Sequence, residues 1–300
     1  MDIMQRSRIV VVAKALLLML TILCCVVMTQ YVSAQAQPVK TEKGLTVSPL
    51  RTESTIDPGT SQKGSLTVTN ATDAQLTVRF NAEEFNVTNQ QYDYAFTAES
   101  EIAKWVTYSS DEVDLAVGES KKIGYTIAVP LSAEPGGRYI SLFSSTASKT
   151  GDGISSVDRV GSLLYITVAG DVTRQGVLLS LSTQALIGGT SNWSATLQNT
   201  GTAHYRSRYV ITTQSIFDSR IIAQSEGSAL VLPGSVRRIS DVIPLPRYPG
   251  IYKVVYAIGL GDSPQDNRTH ILFYAPPPAV VAMVVVFLVI GMAVFRKRTY

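Results

Sequence analysis

Few residues in this chain are of types and spacings that could do chemistry. The two histidines, His204 and His270, stand in different parts of the sequence, and neither falls in a metal-ligand spacing. An imidazole acting as a base or a zinc ligand needs such partners, so each reads as an exposed or strand-packed side chain. Glu83-Glu84 and Asp111-Glu112 are acidic pairs. A glycosidase needs two carboxylates facing one cleft, whereas neighbours on a strand point to opposite faces. There is no Gly-x-Ser-x-Gly elbow, and Gly136-Gly137 and Gly188-Gly189 read as turns without the helix of a phosphate loop. Asp262-Ser263-Pro264-Gln265-Asp266 could touch a cation but lacks the Asp/Asn/Gly pattern of a calcium loop. The expectation is a protein that is not an enzyme and has no cofactor and no metal.

One segment could recognise a partner. In Gln90-Gln91-Tyr92-Asp93-Tyr94-Ala95-Phe96 the aromatics Tyr92, Tyr94 and Phe96 alternate beside amides and a carboxylate. Exposed, they could stack on sugar rings or anchor a protein partner. On one face of a strand, the same alternation would bury all three. Trp105 and Tyr108 read as core residues.

The ends say where such residues would be displayed. Arg6, Arg8 and Lys14 precede an apolar run from Ala15 to Met28, and Val32-Ser33-Ala34-Gln35-Ala36 supplies small residues. That pattern predicts a signal peptide over 1–36, cut after Ala34 or Ala36, with an uncleaved signal anchor as the alternative. Ala279 to Phe295 is 17 residues without a charge, about 26 Å of helix, near the lower limit for a membrane span. Arg296, Lys297 and Arg298 follow it and set the expected topology: C-terminus cytoplasmic, the bulk of the chain extracellular, a single pass through the cell membrane. Both cysteines, Cys24 and Cys25, lie in the leading segment, so the exterior has no disulfide. The formal charge of +3 is carried by the ends: without the three bases and one acid of residues 1–34 and the three bases of the tail, 20 bases face 22 acids. A surface so near neutral offers no footprint for nucleic acid.

The exterior that must position these residues reads as short strands. Leu66-Thr67-Val68-Thr69 and Leu76-Thr77-Val78-Arg79-Phe80 alternate apolar with polar around the turn residues Asn70-Ala71-Thr72-Asp73-Ala74. Leu163 to Val168 looks like a strand with both faces partly buried. A repeat organises them. Leu115-Ala116-Val117-Gly118-Glu119, with Val129-Pro130 and Pro135-Gly136 after it, returns roughly 115 residues later as Leu230-Val231-Leu232-Pro233-Gly234, Ile243-Pro244 and Pro249-Gly250. Upstream, Thr67-Val68-Thr69-Asn70-Ala71-Thr72 matches Thr196-Leu197-Gln198-Asn199-Thr200-Gly201. A period of that length is one sandwich. The expected fold is all-β: two tandem immunoglobulin-like β-sandwiches over 41–170 and 171–275, a Pro spacer at 276–278, the transmembrane helix at 279–295 and a basic tail at 296–300.

With Val47-Ser48-Pro49, Thr67-Val68-Thr69-Asn70, Gly118-Glu119-Ser120, Val129-Pro130 and Pro135-Gly136-Gly137, the chain resembles the WxL-interacting surface proteins of Gram-positive bacteria. The resemblance implies a first domain that contacts peptidoglycan, a second that docks another surface or host protein, and no catalysis. It carries over no binding residue. The function expected from topology, repeat and resemblance is a membrane-anchored extracellular adaptor whose partners are the lipid bilayer, peptidoglycan and another surface protein. A passive stalk or membrane subunit of a surface assembly is the alternative.

Overall fold

The computed structural model describes residues 44–149, 155–183 and 189–277, together with 281, 286 and 287. The expected signal peptide, the basic tail with Arg296, Lys297 and Arg298, and most of the expected span at 279–295 lie outside the described residues. Among the described residues no helix is long and apolar enough to cross a membrane.

The chain is all-β, as its alternation implies, and forms two sandwiches of immunoglobulin-like layout. The first uses β1 (Leu45–Ser48), β2 (Arg51–Ile56), β3 (Ser61–Asn70), β4 (Leu76–Val87), β5 (Tyr94–Thr97), β6 (Val106–Tyr108), β7 (Glu112–Leu115), β8 (Ser120–Ala128), β9 (Gly136–Lys149) and β10 (Ser155–Val168). One sheet has the order β1-β3-β8-β6 and the other β2-β10-β9-β4-β5, with β7 also on β4. Strand β2 runs parallel to β10, and no strand among the described residues pairs with its other edge. Between the sheets Leu66, Val68, Val78, Leu115, Ile140, Leu142, Leu164 and Ile166 make a closed core, with Trp105 and Tyr108 packed against it. Each such side chain contributes about 1.5–3 kcal/mol by leaving water.

The second sandwich uses β11 (Gly176–Thr183), β12 (Asn192–Asn199), β13 (Tyr205–Ser215), β14 (Ile221–Val231), β15 (Val236–Val242), β16 (Gly250–Leu260) and β17 (Ser263–Tyr274). Its sheets are β11-β12-β15 and β14-β13-β16-β17. Trp193 fills the centre, edge-on to Tyr209 at 5.0 Å and Tyr256 at 5.7 Å.

The sequence repeat has a physical basis in a pair of buried asparagines. Asn70 donates from Nδ2 to the carbonyls of Ala74, Leu115 and Ala116, and its Oδ1 accepts from the Thr72 amide. Asn199 donates to Ala203 and Val231 and accepts from the Gly201 amide. The backbone pairs in the same way in both domains: Gly118 N to Asn70 O at 2.9 Å, and Gly234 N to Asn199 O at 3.0 Å. Both glycines lie at positive φ (74° and 68°), where a side chain is disfavoured. Each asparagine thus satisfies the carbonyls of a turn that would otherwise be buried without donors.

Candidate functional site: an aromatic seam and a charged cleft

On β4, β9 and β10 three of the side chains pointing away from the first core are aromatic, Phe85 and Tyr165 buried and Tyr139 half-buried. Phe85, Tyr139 and Tyr165 share this outer face, with Phe85 edge-on to Tyr165 at 5.5 Å and Tyr139 at 5.7 Å from the same ring. Leu230 and Leu232 of the second sandwich close over them. This is why Leu163 to Val168 is apolar on both faces: one side fills the first core, the other meets the second domain.

Tyr92 joins the two domains on one flank. The alternation predicted it on a strand face with Tyr94 and Phe96; instead it precedes β5, in a turn at φ 70°. Asn89 shapes that turn by accepting from the Gln91 and Asp93 amides and donating to the Asp93 carboxylate. The left-handed conformation costs about 1–2 kcal/mol for a residue with a Cβ. Interdomain bonds offset it. The Leu232 amide donates to the Tyr92 phenol oxygen at 2.6 Å, and the phenol lies 2.8 Å from Ser235 Oγ. Because the Ser235 hydroxyl donates to Leu232 O at 2.7 Å, the phenol donates to Ser235, and the ring of bonds is closed. The Arg237 guanidinium lies 4.1 Å over the Tyr92 ring, and the Arg238 amide donates to Gln90 O at 2.9 Å. Burial, the dominant effect, raises the phenol pKa. Tyr94 is half-buried against Phe85, and Phe96 is exposed, edge-on to Phe143 at 5.0 Å.

His204 joins the domains on the other flank. It is buried, 5.6 Å from the ring centroids of both Tyr139 and Tyr165, with Nδ1 3.4 Å from the Tyr139 hydroxyl. Burial pushes its pKa down to about 4, opposed by Glu53 and reinforced by Arg174 and Arg206, so it is neutral at neutral pH. The Gly137 amide donates to Thr202 O at 2.9 Å beside it. Burial likewise raises the Tyr139 and Tyr165 phenols.

Next to His204 the domains leave an open cleft of about 270 Å³, walled by Glu53, Ser54 and Thr55 of β2, Thr167, Arg174 of the connecting segment, and Tyr205 and Arg206 of β13. Glu53 pairs with Arg206, while no salt bridge joins Arg174 to a carboxylate among the described residues. With His204 neutral, the cleft holds two guanidiniums against one carboxylate. It offers hydrogen-bond donors beside the outer edge of β2.

The other chemistry-bearing residues are dispersed. Glu83 is held by Arg159 on one face of β4, and Glu84 accepts from Ser100 on the other, so the pair shares no cleft. Glu112 pairs with Arg79 at the surface, and Asp266 with Arg268. His270 packs on Tyr256 at 5.7 Å. Among the described residues no group of three His, Cys, Asp or Glu is arranged to hold a metal ion. Sequence reasoning missed the cleft because Glu53, Arg174 and Arg206 are far apart in the chain and carry no local motif. The double-sided apolarity of β10 was the only signal that something covers its outer face.

No family model and no curated protein matches the chain. Solved structures similar to it include the class 5 fimbriae chaperone CfaA, at 10% identity over 76% of this chain and 99% of that one, with a TM-score of 0.39. They also include the CsuC–CsuE chaperone–tip adhesion subunit complex of Acinetobacter baumannii, at 13% identity over 78% and 99%, TM-score 0.37. The Salmonella enterica SafA pilin–SafB chaperone complex is similar at 9% identity over 79% and 99%, TM-score 0.38. The expected membership of the WxL-interacting family is withdrawn, since no family model matches the chain and none of these similar structures is of that family. The membrane-anchored adaptor on cell-wall polymer, the stalk offered beside it, and lipid and peptidoglycan as partners are withdrawn with it. The punctuation on which that resemblance rested, such as Val129-Pro130 and Pro135-Gly136, is strand-end and turn chemistry common to many sandwiches.

Proposed function

We propose that the chain is a non-catalytic protein-binding module that holds a polypeptide partner in the cleft between its two sandwiches. The observation that carries this reading is the cleft itself, where Arg174 and Arg206 sit beside the outer edge of β2. An extended segment can add its backbone to such an edge, and guanidiniums bind carboxylates or carbonyls of the same segment. The seam supports the reading because a fixed angle between the domains lowers the ordering cost of binding. Tyr94 and Phe96, on the same outer sheet, are candidate further contacts, Phe96 being the more accessible. Affinity purification of the full-length chain tests the proposal. Arg174→Glu should lose the partner that the unaltered chain retains, with unchanged elution and thermal unfolding. Undiminished retention by that variant would overturn it.

A further inference from the structure

The end of the second sandwich opposite the seam carries an apolar surface that no other described residue covers. Phe217, at the tip of the β13–β14 hairpin, is 96% exposed, and Tyr248 in the β15–β16 loop is 66% exposed. Ile251 and Phe273 are cross-strand partners on β16 and β17, and both side chains are exposed. One rung further in, Ile221, Gln214, Lys253 and Ile271 align across four strands. Between hairpin and loop lies a cleft of about 340 Å³, with Ile221, Ile222, Tyr248 and Tyr252 as apolar walls and Arg220 and Arg247 at its rim.

The charges around it are unbalanced. Two guanidiniums, Arg220 and Arg247, line the cleft with no carboxylate in its wall, and the ion pair beside it among the described residues is Arg220 with Asp218 at 3.8 Å. Arg247 lies 5.7 Å over the Tyr248 ring, and no salt bridge joins it to a carboxylate among the described residues. An apolar slot rimmed by more guanidiniums than carboxylates is complementary to a large apolar side chain flanked by carboxylates. A second copy of this chain fits poorly, since a two-fold contact would set the same cations against each other.

We propose that this end docks an acidic segment of a partner protein, with an aromatic or large aliphatic side chain entering the cleft and neighbouring carboxylates meeting Arg220 and Arg247. The surface is separate from the interdomain cleft, so the two readings stand or fall independently.

The test uses the full-length protein and two labelled twelve-residue peptides with the same Phe and Leu content, one flanked by Asp and the other by Lys, followed by fluorescence anisotropy. The Asp peptide should bind saturably and at least about tenfold more tightly than the Lys peptide, weakening as salt rises. Phe217→Ser should weaken it, Arg220→Glu with Arg247→Glu should reverse the preference, and Arg174→Glu should leave it unchanged. The substituted positions are exposed, so unchanged unfolding temperatures are expected to accompany these shifts. Equal affinity for both peptides, or a preference untouched by charge reversal, would overturn the proposal. Flotation with phosphatidylglycerol vesicles without peptide discrimination would instead assign the surface to lipid, and a dimer abolished by Phe217→Ser would assign it to a second copy.

Discussion

Strand β14 runs from one kind of surface to another. At its start Ile221 and Ile222 are exposed; at its end Ala229, Leu230 and Val231 are buried, and Leu232 just beyond is buried too. The two ends are equally apolar in sequence. Ala229 and Val231 enter the second sandwich's own core, whereas Leu230 and Leu232 are covered by the first domain's Tyr92, Phe85 and Tyr165, which do not pack on Ile221 or Ile222. Apolar character therefore marks a surface to be covered, and only the remainder of the chain decides whether the cover is internal. The seam is an interface already occupied; the far end of the same domain is left open by the described residues.

The largest effect should come from breaking the occupied end. Tyr92→Ala removes a buried ring and both hydrogen bonds of the closed network, an expected loss of about 4 kcal/mol. Calorimetry should then resolve two unfolding transitions where the unaltered chain shows one, while Tyr92→Phe, which keeps the ring, should cost only about 1 kcal/mol. Acid should act on the other flank. His204 has a folded pKa lowered to about 4 against an unfolded value of 6.5, so the unfolded state takes up the proton first. The stability it contributes is complete above about pH 6.5 and is lost as pH falls towards 4, by up to about 3 kcal/mol. Denaturant titrations across that range should show the slope, and His204→Phe should flatten it.

Within each domain the paired asparagines sharpen the contrast between seam and body. Asn70→Ala and Asn199→Ala each strand buried carbonyls, for about 2 kcal/mol of expected destabilisation read from the denaturation midpoint. The far end should be nearly silent: Phe217→Ser should change stability by less than about 0.5 kcal/mol in the same assay. A large loss there would mean that the tip packs against something within the chain.

The duplicated sandwiches were legible because alternation and turn chemistry are local, and because Asn70 with Gly118 and Asn199 with Gly234 leave the same imprint in each domain. The cleft was not legible. Glu53, Arg174 and Arg206 meet only after both domains have folded and docked, and each alone is an ordinary surface charge. Tyr92 shows the intermediate case: its aromatic alternation with Tyr94 and Phe96 was visible, but the Asn89 turn placed it before the strand and aimed it at Leu232 and Ser235.

A photoreactive residue placed at Thr55, on the outer edge of β2, tests the central claim most directly. In cells that make the full-length chain, irradiation should produce a discrete polypeptide adduct that disappears with Arg174→Glu. No adduct, or one indifferent to Arg174, would contradict a cleft that holds a protein partner.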